Sequence, residues 1–257
     1  MTPVGRGVVA RLNPVAKLAA SLLIAVPLVF TIDPVSAAVA LVLELPLLLL
    51  AGLTPRQFWL RTLPVWVAAP LAGITIALYG TPAGTVYFEW FVVRISEGSL
   101  VLALATMFRV LAIGLPAVVL FATVDPTDLA DGLAQLVHLP ARFVLGALAG
   151  MRLLGLLADD WRALALARRA RGVADRGRVR RLLGMAFALL VLSIRRGSAL
   201  AVAMEARGLG ASRHRTWARQ SRFGGGDVLL LLAGAAISGT AIAVAVAVGA
   251  WNPVLTA

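Results

Sequence analysis

Two residue patterns in this chain are spaced in a way that could do chemistry. The first is a run of three aspartates, Asp125, Asp128 and Asp131. Carboxylates so spaced hold Mg²⁺ on phosphorylated substrates in membrane prenyl- or phospho-transferases. Such enzymes need further acids nearby, and the chain offers only Asp159 and Asp160. The second pattern is a tripeptide that occurs twice, Ala170-Arg171-Gly172 and Ala206-Arg207-Gly208. An arginine between small residues at a helix end projects as a plug, and its guanidinium can pair bidentately with a partner's carboxylates. A basic last turn closed by a capping glycine gives the same letters. Composition alone predicts about 0.4 copies, so the weight rests on where the two copies fall.

Other chemistry finds little to work with. The chain lacks a G-x-x-x-x-G-K-[ST] phosphate loop, and its only lysine is Lys17, so it does not cradle ATP by that route. Zero cysteines exclude a disulfide framework and thiolate metal ligation. His138 and His214 are far apart and lack nearby carboxylates. They read as solvated or interfacial side chains, and no metal or other cofactor is expected on this chain.

The elements that position these patterns follow from composition. Of 257 residues, 60% are hydrophobic and only 14% charged, with mean hydropathy +0.92. A soluble domain carries about 25% charged residues, so a soluble globule, a disordered chain and a collagen-like chain are excluded. The expected class is an all-α polytopic membrane protein. Five apolar stretches are candidate transmembrane helices: Lys17–Thr31, Pro34–Leu53, Leu63–Tyr79, Ser99–Val124 and Val228–Ala250. The first is short and needs Lys17 to snorkel at its end. Basic residues at the start, an apolar run and Val35-Ser36-Ala37 mimic a cleaved signal peptide, but a second apolar span follows at once, as in a signal anchor.

Charge is unevenly placed. Seventeen of the 24 basic residues lie between Arg142 and Arg222 against four acids, a net of +13, whereas the rest of the chain nets −1. Arg6, Arg11 and Lys17 mark the N-terminal side of the first span, and Arg56 and Arg61 follow the second. The positive-inside rule therefore puts the N-terminus and the arginine block in the cytosol and the C-terminus outside. Two apolar runs inside the block, Phe143–Leu157 and Leu182–Ile194, are expected to lie in the plane of the inner membrane surface. Crossing of the second would place arginine clusters on opposite sides. Arg176, Arg178, Arg180 and Arg181 are expected headgroup contacts for anionic lipids. Nucleic acid is not an expected partner, because Trp161 and Trp217 are almost the only aromatic platform in the block.

Punctuation divides the block into helices. Asp125-Pro126-Thr127-Asp128 reads as an N-cap, a proline at the first helical position and an acid at the third, a helix running to about Val137. Capping thus accounts for Asp125 and Asp128 without a metal. A second helix runs from after Pro140 to Arg171, closed by Gly172, and a third from about Val179 to Arg207, closed by Gly208. The two long helices are expected to form a crossed pair. Both tripeptides therefore terminate long basic helices. Domain limits follow: residues 1–124 with four spans, 125–222 as the cytosolic or in-plane module, and 223–257 with the last span. Within the spans, Glu44 and Arg109 each lie ten residues from the expected span start, which predicts an intramembrane ion pair.

The chain resembles the transmembrane scaffold, or T component, of energy-coupling-factor importers of vitamins and metals. Arg11-Leu12-Asn13-Pro14-Val15-Ala16-Lys17-Leu18 is similar to that family's opening motif, with Asn where Asp is commoner. Thr123–Leu129 is similar to its acidic proline-containing turn. Leu139-Pro140, the long helix containing Arg152 and the two Ala-Arg-Gly ends follow in the family's order. The resemblance implies a non-catalytic chain that docks Arg171 and Arg207 into two ABC-type ATPase subunits, or one homodimer. ATP and Mg²⁺ would be held by those partners. It also implies a separate small substrate-binding membrane subunit in a bacterial or archaeal cell membrane. Arg168, three residues before Arg171, and Glu205, two before Arg207, are the secondary coupling residues in that reading. The transferase built on Asp125, Asp128 and Asp131 is the alternative.

Overall fold

Four of the helices begin at a polar residue followed by proline: Asn13-Pro14, Asp33-Pro34, Thr54-Pro55 and Asp125-Pro126. Proline suits the first helical position, where its missing N–H leaves no bond unmade, and the preceding side chain caps the exposed donors. Asn13 Oδ1 accepts from Val15 N at 2.9 Å, Asp33 Oδ2 from Ser36 N at 2.6 Å, and Asp125 Oδ1 from Thr127 N at 2.7 Å. Thr54 and Gln57 form a reciprocal capping box.

The computed structural model describes residues 7–80, 83–90, 93–172, 177–208, 217 and 219–252. Their order is α1 (Pro14–Val29), α2 (Pro34–Leu50), α3 (Pro55–Tyr79), strands β1 (Val86–Trp90) and β2 (Val93–Ser96), then α4 (Glu97–Ala122). It continues with α5 (Pro126–Gln135), α6 (Ala141–Ala170), α7 (Arg178–Ala206) and α8 (Gly225–Ala247). The chain is an all-α, multi-pass membrane protein with one small antiparallel hairpin, β1–β2. The hairpin leads into α4, whose start is capped by Ser96 and Ser99. Arg6, Arg176 and His214 lie outside the described residues.

Two compact units emerge. One comprises Met1–Leu129 with Arg222–Ala257, the other Ala130–Ser221. In the first, α1, α2, α4 and α8 share a core of mostly small and aliphatic residues, with Ala16, Ala20, Ile24 and Leu28 as the α1 stripe. Close approach explains the small residues. A Cβ on Gly234 of α8 would stand 3.1 Å from the Ala20 carbonyl oxygen of α1, and one on Gly114 of α4 only 2.6 Å from Val65 of α3. In lipid, where apolar surface alone does not drive helices together, such contacts hold a bundle. In the second unit, Ala130, Ala134 and Val144 form a small core with Leu133, Leu148 and Trp217.

Among the described residues five helices are long and apolar enough to cross a membrane, but they differ from the expected set: they are α3, α4, α6, α7 and α8. Helices α1 and α2, read from sequence as spans, have only 16 and 17 residues, about 25 Å against a 30 Å hydrocarbon core. They nevertheless pack within the bundle against α4 and α8. Helices α6 and α7 qualify by length because each has an 18-residue window with no more than two charges, although each carries five arginines: Arg142, Arg152, Arg162, Arg168 and Arg169 on α6, and Arg178, Arg180, Arg181, Arg195 and Arg196 on α7. Lys17 also departs from expectation. Only 1% exposed, it turns inward instead of reaching out to solvent.

Candidate coupling site

The two Ala-Arg-Gly segments fold alike. Helix α6 ends at Ala170 and α7 at Ala206, and the following arginine is the C-cap in each, with φ, ψ of −88°, 4° at Arg171 and −86°, 12° at Arg207. Arg171 N donates to Ala167 O and Arg207 N to Ala203 O, both at 3.2 Å. Gly172 N donates to Arg169 O at 3.0 Å and Gly208 N to Glu205 O at 2.9 Å. Each glycine then takes a left-handed conformation, φ +66° and +77°, which any side chain with a Cβ resists. Both arginines, both glycines and both preceding alanines are exposed. No heavy atom lies within 4 Å of a Cβ built on either glycine. The result is a pair of open, cationic helix ends with one shared geometry.

The neighbouring arginines behave differently. The Arg168 guanidinium lies over α7, 3.0 Å from where a Cβ on Gly184 would stand. It lines a crevice of about 210 Å³ between the helices with Trp161, Ala165, Arg169, Arg181, Leu182 and Met185. Further back, Arg196 of α7 meets Asp160 of α6 bidentately: Nη1 donates to Oδ2, and Nη2 to Oδ1 at 3.0 Å. That pair is partly sheltered, with side-chain exposures of 38% and 19%. Asp159 pairs with Arg162 of its own helix at 3.4 Å, both sides well exposed, an arrangement that contributes little. Glu205 lies in the last turn of α7, exposed.

The opening motif and the acidic turn, which read as separate signals in the sequence, are brought together. Lys17 Nζ donates to Ala10 O at 3.1 Å, Thr123 O at 3.3 Å and Thr123 Oγ1 at 3.0 Å. Asn13 N donates to Asp227 Oδ1 at 2.7 Å, and Asn13 Nδ2 to Arg222 O at 2.9 Å. Asp227 also accepts from Gly224 N at 2.8 Å, capping α8. Arg61 Nη1 donates to Ala122 O at 2.6 Å. The start of α1, the end of α4 and the start of α8 are thus laced into one polar clasp. Lys17 and Asn13 were legible as motif residues; Asp227 was not singled out. An acid immediately ahead of the apolar run Val228–Leu232, preceded by Gly224-Gly225-Gly226, is the capping signal that marks it.

The remaining candidates resolve separately. Asp125 serves α5 as its cap, Asp128 lies in the first turn and Asp131 is half-buried on the same helix. Among the described residues no group of three His, Cys, Asp or Glu side chains could hold a metal ion. His138 closes α5 with φ 58°, and its Nδ1 lies 3.1 Å from Leu136 O. The expected Glu44–Arg109 ion pair does not form. Both Glu44 oxygens and Arg109 Nη2 are buried without a hydrogen-bond partner among the described residues. The expectation assumed two spans starting level. Equal counts along two helices fix neither the relative offset of their starts nor the face each side chain takes.

Comparison with known proteins bears directly on this arrangement. The profile of the CbiQ family, described as cobalt transport protein, matches residues 5–217. The chain belongs to this family. It is similar to the energy-coupling factor transporter transmembrane protein EcfT of Bacillus selenitireducens, 30% identical over 239 residues, covering 88% of this chain and 89% of the relative. The corresponding protein of Limosilactobacillus fermentum is 29% identical over 225 residues, 82% and 83% of the two chains. That of Lactococcus lactis is 27% identical over 242 residues, 89% and 90%. The matched region takes in the clasp residues from α1 and α4 and both arginine-tipped helices. The chain is therefore a transmembrane T component of the energy-coupling-factor transporter family.

Proposed function

We propose that this chain is the energy-coupling scaffold of an ATP-driven importer, linking two cytosolic ATPase subunits to a small substrate-binding membrane subunit. The observation that carries the reading is the pair of equivalent helix ends, each presenting an exposed arginine between alanine and a left-handed glycine. One such end is an ordinary cap. Two with the same backbone geometry suit a partner that presents two equivalent acidic grooves, as two ATPase subunits or a homodimer do. Arg171 is the better docking residue on α6, because Arg168 is engaged against α7; Arg168 and Glu205 serve as flanking contacts. The chain supplies mechanical linkage and no chemical step, and ATP and Mg²⁺ belong to the ATPases.

In this reading the N-terminus is cytosolic and the C-terminus outside, α1 to α4 and α8 span the membrane, and α6 and α7 lie along its inner surface. Arg180 and Arg181 then meet anionic headgroups, each worth about 1 kcal/mol of attraction. The imported substrate is selected by the separate binding subunit.

Charge reversal tests the reading directly. Arg171→Glu and Arg207→Glu, singly and together, are measured for ATPase co-purification and ATP-driven uptake after co-expression with the ATPase and binding subunits. Reversing one desolvated charge contact costs about 2 kcal/mol or more, at least about thirtyfold in affinity, so the double variant is expected to lose its ATPases. Retention of assembly and full uptake in the double variant defeats the proposal.

A further inference from the structure

The two helices that carry the tripeptides repeat over much more than three residues. Set 36 residues apart, residues 152–172 and 188–208 are identical at ten of 21 positions, among them Leu153/Leu189, Leu164/Leu200, Ala167/Ala203 and the Ala-Arg-Gly ends. Self-similarity at a fixed spacing marks two copies of one structural unit. Near the middle of the repeat the copies differ in charge: Asp159-Asp160 in one stands where Arg195-Arg196 stands in the other.

The structure joins the copies at that point. Asp160 and Arg196, equivalent positions of the repeat, form the bidentate pair between α6 and α7. Shielding follows the same equivalence. Leu153 and Leu189, Asp160 and Arg196, Leu164 and Leu200, and Arg168 and Met204 are all partly buried, on helices that are otherwise largely exposed. The helices pass in opposite directions, since Arg168, eight residues beyond Asp160, lies over Gly184, twelve residues before Arg196. The pair therefore sits on a local two-fold axis, and each arginine tip lies eleven residues from it, about 16 Å of helix, on opposite sides. Two identical arms would bring like charges together at this axis. The exchange of an acidic for a basic dipeptide is what allows two copies of one arm to cross within a single chain.

We propose that Asp160 and Arg196 are a positioning pair that pins the two coupling arms at their common midpoint and so fixes the separation of Arg171 and Arg207. The proposal rests on the reading of those arginines as docking tips. Leucine and alanine contacts alone permit one helix to slip along the other, and a slip of one turn moves a tip by about 5.4 Å. A two-pronged guanidinium–carboxylate fork specifies a single register. Two tips that must enter two fixed grooves bind jointly only when their spacing matches, and the gain from the second is lost otherwise.

The chain contains no cysteine, which allows a clean distance measurement. Nitroxide labels on Ala167→Cys and Ala203→Cys, equivalent sites one turn before the tips, are read by pulsed electron paramagnetic resonance on the full chain in lipid nanodiscs. The expected result is a single narrow distance, broadened and shifted by about 5 Å, one turn, in Asp160→Asn and in Arg196→Gln. The reversed pair, Asp160→Arg with Arg196→Asp, is expected to restore it, and Asp159→Asn to leave it unchanged. In the assembled transporter, uptake per ATP hydrolysed is expected to fall in the single variants and to recover in the reversed pair. Unchanged distances in both single variants overturn the proposal. So does a reversed pair as broad as the singles, and that comparison stands even where a single variant folds poorly. The tip reading fails separately: if charge reversal at Arg171 and Arg207 leaves the ATPases bound, the docking role is lost while the distance measurement still decides the pin.

Discussion

At the scale of single residues, burial without partners is the clearest departure from ordinary protein chemistry in this chain. Glu44 is fully buried with both carboxyl oxygens lacking a hydrogen-bond partner among the described residues. Leaving a polar group so placed costs about 1–3 kcal/mol. Replacing it by an apolar side chain of similar length removes that cost, so Glu44→Met is expected to raise the melting temperature of the detergent-solubilised chain. A lower melting temperature would mean that the carboxyl gains more from its surroundings than its hydrogen bonds reveal. Arg171 and Arg207 present the opposite case. Both are exposed, and Gly172 and Gly208 turn the backbone away immediately after them. The sequence displayed both arginines because each stands between an alanine and a glycine at a helix terminus. It did not display the orphaned state of Glu44 and Arg109, since pairing across a bundle depends on the relative offset of two helices.

At the scale of elements, the clasp explains why a lysine and an asparagine begin the first helix. Lys17 reads from sequence as a charge reaching back to water; instead its ammonium satisfies carbonyls at the ends of two segments. Asp227 works at both levels, capping α8 and holding the Asn13 amide. Removing its carboxylate deletes a cap, worth about 1 kcal/mol, and leaves a buried amide unpaired at a similar cost. Asp227→Ala is expected to destabilise the purified chain by about 2 kcal/mol in a denaturant or thermal titration. Combination with Asn13→Ala should add less than the sum of the single effects, because the two share one bond; full additivity would argue against a joint clasp. The helix limits of α5, α6 and α7 were legible to within about two residues because prolines, aspartates and glycines mark them. The β1–β2 hairpin was not. The stretch Gly80-Thr81-Pro82-Ala83-Gly84 carries turn signals that mask the short alternating run after it.

At the scale of the whole molecule, the membrane class was readable from composition, and the identity of the spans was not. Length and hydropathy admit α6 and α7 and leave out α1 and α2, whereas charge placement argues the reverse. An odd number of crossings results whether α6 and α7 both span or neither does, so the termini cannot discriminate. The start of α7 can. Arg180→Cys in the cysteine-free chain is expected to react with impermeant maleimide only from the cytosolic side, as Arg56→Cys at the start of α3 should. Labelling of Arg180→Cys from outside would make α6 a true span and would end the in-plane reading.

The clasp has a further consequence for how such a chain can be built. Thr123 and Arg222 flank nearly a hundred intervening residues, yet both are bonded to the first turn of the same helix, through Lys17 and Asn13. The intervening polypeptide therefore departs and comes back at a single doorway, which is the layout of an inserted domain. A bundle closed in this way does not need the insert in order to complete its own core. The core residues of the two units are separate sets, so a change in the length of the insert leaves those of the bundle in place.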